Sequence, residues 1–133
     1  MKILLDTHLL LWALHQPERM PDPICVELAD RRQEVFFSAA SIWEIGIKAS
    51  LGRDDFQFKP ADVWRFAVMA GFAELTVTSV HGAAVAELPW HHRDPFDRLL
   101  IAQALSLPAR LLTADAILMR YSELVQQVKV VSP

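Results

Sequence analysis

The sequence predicts an α/β fold with a mainly parallel sheet covered by helices on both faces. Three observations lead there. Short apolar segments alternate with helical segments along the whole chain. The apolar segments are hydrophobic at consecutive positions rather than at every second one, as in strands buried on both faces. Whole helices separate most of them, which is the connection that parallel strands require.

The elements follow in order. Residues 2–5 are a short apolar run ended by Asp6, a buried-strand signal. Residues 8–15, with Leu9, Leu10, Trp12 and Ala13, read as a helix stopped before Pro17. Asp22 is expected to cap a helix with Pro23 at its first position, running to about Arg32. Val35, Phe36 and Phe37 form a second strand. Ser41 opens the next helix, which ends near Gly52, and Glu44 stands three residues on, at capping-box spacing. Residues 53–59 are charged and loop-like, and Pro60 opens a helix through Ala70 that Gly71 stops. Glu74 to Val77 is the third strand and Val80 to Leu88 is helical in pattern. After a loop from Pro89 to Arg93, Asp94 caps a helix with Pro95 at its first position, running to about Ser106. Arg110 to Leu112 is the fourth strand, Ala114 to Tyr121 a short helix, and Val128 to Val131 the fifth strand. With no repeat, low-complexity stretch or linker, a single domain over residues 1–133 is expected.

Composition narrows the function classes. A chain of 133 residues with 53% hydrophobic and 22% charged residues is long enough for one core and too apolar for disorder. No apolar run is long enough to span a bilayer. Asp6 interrupts any signal-peptide core, so the N-terminus reads as that of a cytoplasmic protein. The lone cysteine, Cys25, excludes an internal disulfide and a zinc–thiolate cluster, and reads as a small buried hydrophobe. The net charge of −3 argues mildly against nucleic acid, whose partners usually carry a basic excess. Setting aside four acids as ligands, however, leaves 13 basic residues against 12 acidic ones from the 16 present, a net of +1.

Those four are Asp6, Glu44, Asp97 and Asp115. Ligands of an open parallel sheet bind at the carboxyl ends of its strands. Asp6 directly follows the first strand, and Asp115 closely follows the fourth. Glu44 and Asp97 lie in the first turns of predicted helices, where carboxylates are favoured. Each acid also has an ordinary explanation: Asp6 as a turn residue, Asp115 as a helix cap, Glu44 as the partner of Ser41 or Lys48, and Asp97 as the capping partner of Asp94. Their common placement at one sheet edge favours a shared site. Four convergent carboxylates need a counter-charge, and oxygen-only ligands select Mg²⁺ or Mn²⁺. Such a site suits phosphodiester hydrolysis.

The segments Leu4-Leu5-Asp6-Thr7-His8, Ser41-Ile42-Trp43-Glu44-Ile45, His92 through Ala104 (HRDPFDRLLIAQA) and Leu112-Thr113-Ala114-Asp115 together resemble the PIN-domain ribonucleases, and closely the VapC toxins of bacterial toxin–antitoxin pairs. The resemblance spans nearly the whole chain, and its most specific part is the stretch from His92 to Ala104. It implies a three-layer α/β/α sandwich around a central, mainly parallel five-stranded sheet. It also implies Mg²⁺- or Mn²⁺-dependent endonuclease action on RNA, homodimers, and inhibition by a cognate antitoxin. The family's acids map onto Asp6, Glu44, Asp97 and Asp115, and Thr113 matches a hydroxyl position beside the last acid.

Other residues carry weaker expectations. Asp94 is chiefly a helix cap and secondarily a supporting group of the site. Arg98 and Lys48 are candidates for contacting substrate phosphate, with Arg53 as a further cation, while Lys59 reads as part of a solvated face. His91 and His92 are set aside as metal ligands, because adjacent side chains rarely converge and no further ligand has suitable spacing. His8 and His15 read as packing or surface residues. Trp12, Trp43, Trp64 and Trp90 read as core or partner-interface residues before base-stacking ones.

Other functions fit less well. A phosphatase with a nucleophilic Asp6 needs a second acid where His8 stands. A phosphate-accepting signalling domain needs an acidic pair where Leu4 and Leu5 stand. There is no glycine-rich phosphate loop. A PIN-like scaffold without catalysis has no reason to carry all four acids.

Overall fold

Strand residues here are apolar at odd and even positions because both faces of the sheet are covered. The computed structural model describes residues 1–131. In order, it contains β1 (Lys2–Leu5), α1 (Thr7–His15), α2 (Asp22–Ala29), β2 (Glu34–Ser38), α3 (Ala39–Ser50), α4 (Pro60–Met69), β3 (Ala73–Leu75), α5 (Ser79–Ala84), α6 (Pro95–Ser106), β4 (Arg110–Thr113) and β5 (Val125–Gln127). The strands form one sheet of order β3-β2-β1-β4-β5, parallel at every pairing.

Two apolar clusters make the three layers. Ile3, Leu5, Val35, Phe37 and Leu112 pack against α1 to α4 on one face. Leu4, Leu111 and Val125, with Phe36 and Leu75, pack against Leu100, Ile101 and Ala104 of α6 on the other. Burying these side chains contributes roughly 25 cal/mol per Å² of apolar surface removed from water.

The topology positions the site. After β1 the chain builds outward through β2 and β3, then returns to add β4 and β5 on the other side of β1. The crevice at such a reversal, beyond the carboxyl ends of the strands, is where these sheets bind ligands. In register, Leu5 is paired with Phe37 and with Leu112. Their successors Asp6, Ser38 and Thr113 therefore emerge side by side.

Several boundaries differ from the sequence reading. Helix α3 begins at Ala39, with Ser38 as its cap accepting from the Ala40 N–H at 3.0 Å, so Ser41 lies inside it. Asp22 sits in the first turn of α2, and Pro21 holds the cap position. The short helix after β4 is a 3-10 helix over Ala116–Arg120, shorter at both ends than the sequence reading. The fifth strand is Val125–Gln127, not Val128 to Val131. Val125 pairs with Leu111 and joins the cluster with Leu118, whereas Val130 and Val131 are exposed. Cys25 is only partly buried. Trp43, Trp64 and Trp90 are exposed, so the core reading holds for none of them, while Trp12 packs against the first cluster.

Candidate active site

Each acid reaches the crevice by a different local device. Asp6 leaves β1 in extended conformation and caps α1, its Oδ1 accepting from the Leu9 N–H at 2.8 Å. The residue is 4% exposed. Asp115 caps the 3-10 turn in the same way, with Oδ1 accepting from the Ile117 N–H at 3.0 Å, which leaves Oδ2 free for other partners. For these two, the capping role and the place in the cleft coexist.

The capping explanation fails for the other two, although the pairing of Glu44 with Lys48 holds. Ser38, not Ser41, caps α3, so Glu44 lies beyond capping-box reach. Its Oε1 instead accepts from the Thr7 hydroxyl at 2.6 Å, and its Oε2 is 3.1 Å from Lys48 Nζ. The Thr7 oxygen is also 2.9 Å from Ser41 Oγ. A threonine has one hydroxyl proton, and a carboxylate can only accept, so Ser41 donates to Thr7 and Thr7 donates to Glu44. Asp97 lies in the first turn of α6, which Asp94 caps by accepting from the N–H groups of Phe96 at 2.8 Å and Asp97 at 3.3 Å. Asp97 does not return the bond: the Asp94 N–H donates to His92 Nδ1 at 3.2 Å.

The structure thus brings Asp6, Glu44, Asp97 and Asp115 to the wall of one cleft of about 550 Å³, with Asp94 and Lys48 beside them. Thr113 stands behind it, its Oγ1 accepting from the Asp115 N–H at 3.1 Å. Among the lining residues, Lys48 alone carries a permanent positive charge against five carboxyl groups. The electrostatics follow. Burial pushes the Asp6 carboxyl up from its usual range, against the pull of hydrogen bonds from Thr113 and Leu9. Burial, then the charges of Asp94 and Asp6, push Asp97 up to about 7, with His92 acting in the opposite direction.

Three residues change roles. His92, set aside in the sequence reading, has its Nε2 at 2.9 Å from Asp115 Oδ2 and 3.3 Å from Asp97 Oδ2. Ligand atoms of His92, Asp97 and Asp115 all lie within 4.8 Å of one another. The only signal for it was its place two residues before Asp94, within the HRDPFD stretch. Arg98, expected at substrate phosphate, is 3% exposed and turned away from the cleft. Its guanidinium donates to the carbonyls of Pro89 at 2.9 Å and Val85 at 3.0 Å, and lies 4.0 Å from the ring centroid of Trp90. A rigid fork of donors suits the fastening of a carbonyl-rich loop. His8, read as packing or surface, lines the cleft.

The donor set fits a hard divalent cation. It is rich in carboxylate oxygen, lacks thiolate, and holds more negative charge than its surroundings neutralise. Fold and cleft together define an α/β protein with an acidic cleft, suited to a hard cation, at the switch point of its sheet. The chain belongs to the PIN domain family, whose model matches residues 3–124. PIN domains are in general nucleases. No curated protein matches the sequence. Among solved structures, the chain is similar to one in VapBC2 from Rickettsia felis bound to a DNA fragment from its promoter, with a TM-score of 0.67 and 16% identity over 97% of this chain and 100% of that one. It is also similar to one in VapBC-1 from nontypeable Haemophilus influenzae, with a TM-score of 0.64 and 16% identity over 96% and 98% of the two chains. At that identity the likeness is one of fold.

Proposed function

We propose that this protein is the toxin of a type II toxin–antitoxin pair: a Mg²⁺- or Mn²⁺-dependent endoribonuclease that hydrolyses RNA phosphodiester bonds and is inhibited by a cognate antitoxin. The observation that carries the reading is the convergence of Asp6, Glu44, Asp97 and Asp115 on one cleft of a PIN domain. The similarity in fold to chains of two VapBC assemblies supports the antitoxin partner. The protein acts as a single domain over residues 1–133, as a homodimer, in the cytoplasm. No described helix is long and apolar enough to cross a membrane.

Asp6, Glu44, Asp97 and Asp115, which line the same cleft, would hold the cation. When bound, the cation supplies an acidified water and stabilises charge on the phosphate and leaving oxygen. The chain supplies the arrangement. Thr7 and Lys48 fix the two oxygens of Glu44. Thr113 and the Asp94 cap hold the backbone under Asp115 and Asp97. Lys48, on the cleft wall, is the side chain placed to meet a phosphate of the RNA backbone. Arg98 is withdrawn from that role because its donors are spent on carbonyls.

The test is cleavage of a defined RNA panel with and without Mg²⁺. Purified protein should cut only with the metal. Asp6→Asn should lower the rate by more than about a hundredfold, beyond the loss usual for a group outside the ligand shell. Asparagine keeps the cap on α1, so the fold should survive. Undiminished cutting by Asp6→Asn, or none by the wild type, would sink the assignment.

A further inference from the structure

His92 touches two of the cleft's acids, Asp115 and Asp97, and neither the family resemblance nor the metal chemistry supplies its role. We propose that His92 is a positioning residue that holds Asp115 and Asp97 through an Nε2–H donor, and is not itself a metal ligand. The inference rests on reading the cleft as a divalent-cation site and says how one of its walls is kept in place.

The tautomer carries the argument. The Asp94 backbone N–H donates to His92 Nδ1 at 3.2 Å. An amide nitrogen cannot accept, so Nδ1 presents its lone pair and the proton of a neutral ring sits on Nε2. That proton faces Asp115 Oδ2 at 2.9 Å and Asp97 Oδ2 at 3.3 Å, two oxygens that accept when ionised. To ligate a cation through Nε2, the ring would have to move its proton to Nδ1. Nδ1–H and the Asp94 N–H would then be two donors facing each other, with the bond between them lost.

The surroundings hold the ring in this orientation. The Tyr121 hydroxyl accepts from the backbone N–H of His92 at 2.9 Å and of His91 at 3.2 Å. Arg98 fastens the preceding loop through the carbonyls of Val85 and Pro89. Asp94 serves both sides: its carboxylate caps the helix that carries Asp97, and its N–H orients the ring that reaches Asp97. Arg98, on the same helix as Asp97, thus acts on the cleft through the loop that ends in His92. Groups that orient ligands from outside the metal shell typically change metal affinity about 10- to 100-fold when removed.

Nitrogen-15 NMR of the histidine rings tests the tautomer, with His92 assigned by its disappearance in His92→Gln. At about pH 8, where a free imidazole is neutral, the metal-free protein should show the proton on Nε2, and it should stay there on saturation with Mg²⁺. A proton on Nδ1, or loss of the Nε2 proton when Mg²⁺ is added, would overturn the proposal. Metal affinity is the second readout. Glutamine places an N–H near the position of Nε2, and alanine places none. Calorimetric Mn²⁺ affinity should fall about tenfold or more in His92→Ala and stay within about threefold of wild type in His92→Gln. Equal loss in both variants, or none in alanine, would overturn it. Should His92→Ala fail to fold, the wild-type spectrum still decides. The spectrum does not depend on cleavage, so a protein that cuts no RNA would end the proposed function and leave this inference standing.

Discussion

The two ends of β4 hold their charges in opposite ways. At its start, Arg110 forks onto Glu27 of α2, with Nη2 donating to Oε1 at 2.8 Å and Nη1 to Oε2. The hydrogen bonds from Arg110 hold the Glu27 carboxyl below its usual range, and Glu27 holds the guanidinium above its own. Beyond the other end, Asp115 joins Asp6, Glu44 and Asp97 in one cleft, and Asp97 is pushed up to about 7. A carboxylate matched by a protein cation is part of the scaffold. Carboxylates gathered with too little positive charge around them weaken the empty fold and point to a charge from outside.

The largest expected effect concerns pH. Burial and neighbouring charge push the Asp97 carboxyl up to about 7 in the folded chain, against 3.8 for a free aspartate side chain. Between those values the folded chain keeps a proton that the unfolded chain has lost. Its contribution to stability is therefore full below 3.8 and is lost as pH rises through about 7. The gap corresponds to at most about 4 kcal/mol. Urea unfolding of metal-free protein should show Asp97→Asn gaining on wild type as pH rises from about 4 to about 7. A difference that is flat with pH would break the contrast between the two ends.

Next comes Mg²⁺. At a hundred times its dissociation constant it should stabilise the wild type by about 2.7 kcal/mol, read as a rise in melting temperature. Asp97→Asn should respond less. No rise at saturating Mg²⁺ would count against a preformed site.

The smallest effect belongs to the paired end. Arg110→Ala should cost about 1 kcal/mol, since the pair is partly exposed. It should leave the Mg²⁺ response unchanged. If that variant also lost the response, the two ends would be coupled and the contrast would need revising.

Legibility in the sequence was uneven for physical reasons. β1 was located because an unbroken apolar run ending in an acid has few other readings. Asp94 with Pro95 was readable as a helix start because capping is local. The start of α3 was not, since Ser38 and Ser41 are both good caps and only the end of β2 selects Ser38. β5 was misplaced because Val125–Gln127 is barely apolar, and only its pairing with β4 makes it a strand. Arg98 looked like a phosphate ligand because nothing local reveals that the carbonyls of a loop nine and more residues earlier would take its donors. His92 looked unsuited to the site for the mirror reason: its partner Asp115 lies 23 residues away.

By itself, the sequence determined the alternation of buried strands and helices, and with it a parallel sheet and the edge at which chemistry gathers. It also determined the residues offering carboxylates there, because strand ends and helix starts are local features. The tertiary structure alone decided which of those carboxylates share a cleft and which cations are kept from them. Strand register sets Asp6 beside Thr113, a crossover returns β4 to β1, and the donors of Arg98 are consumed elsewhere. Those outcomes depend on packing between segments far apart in the chain, which no local pattern encodes.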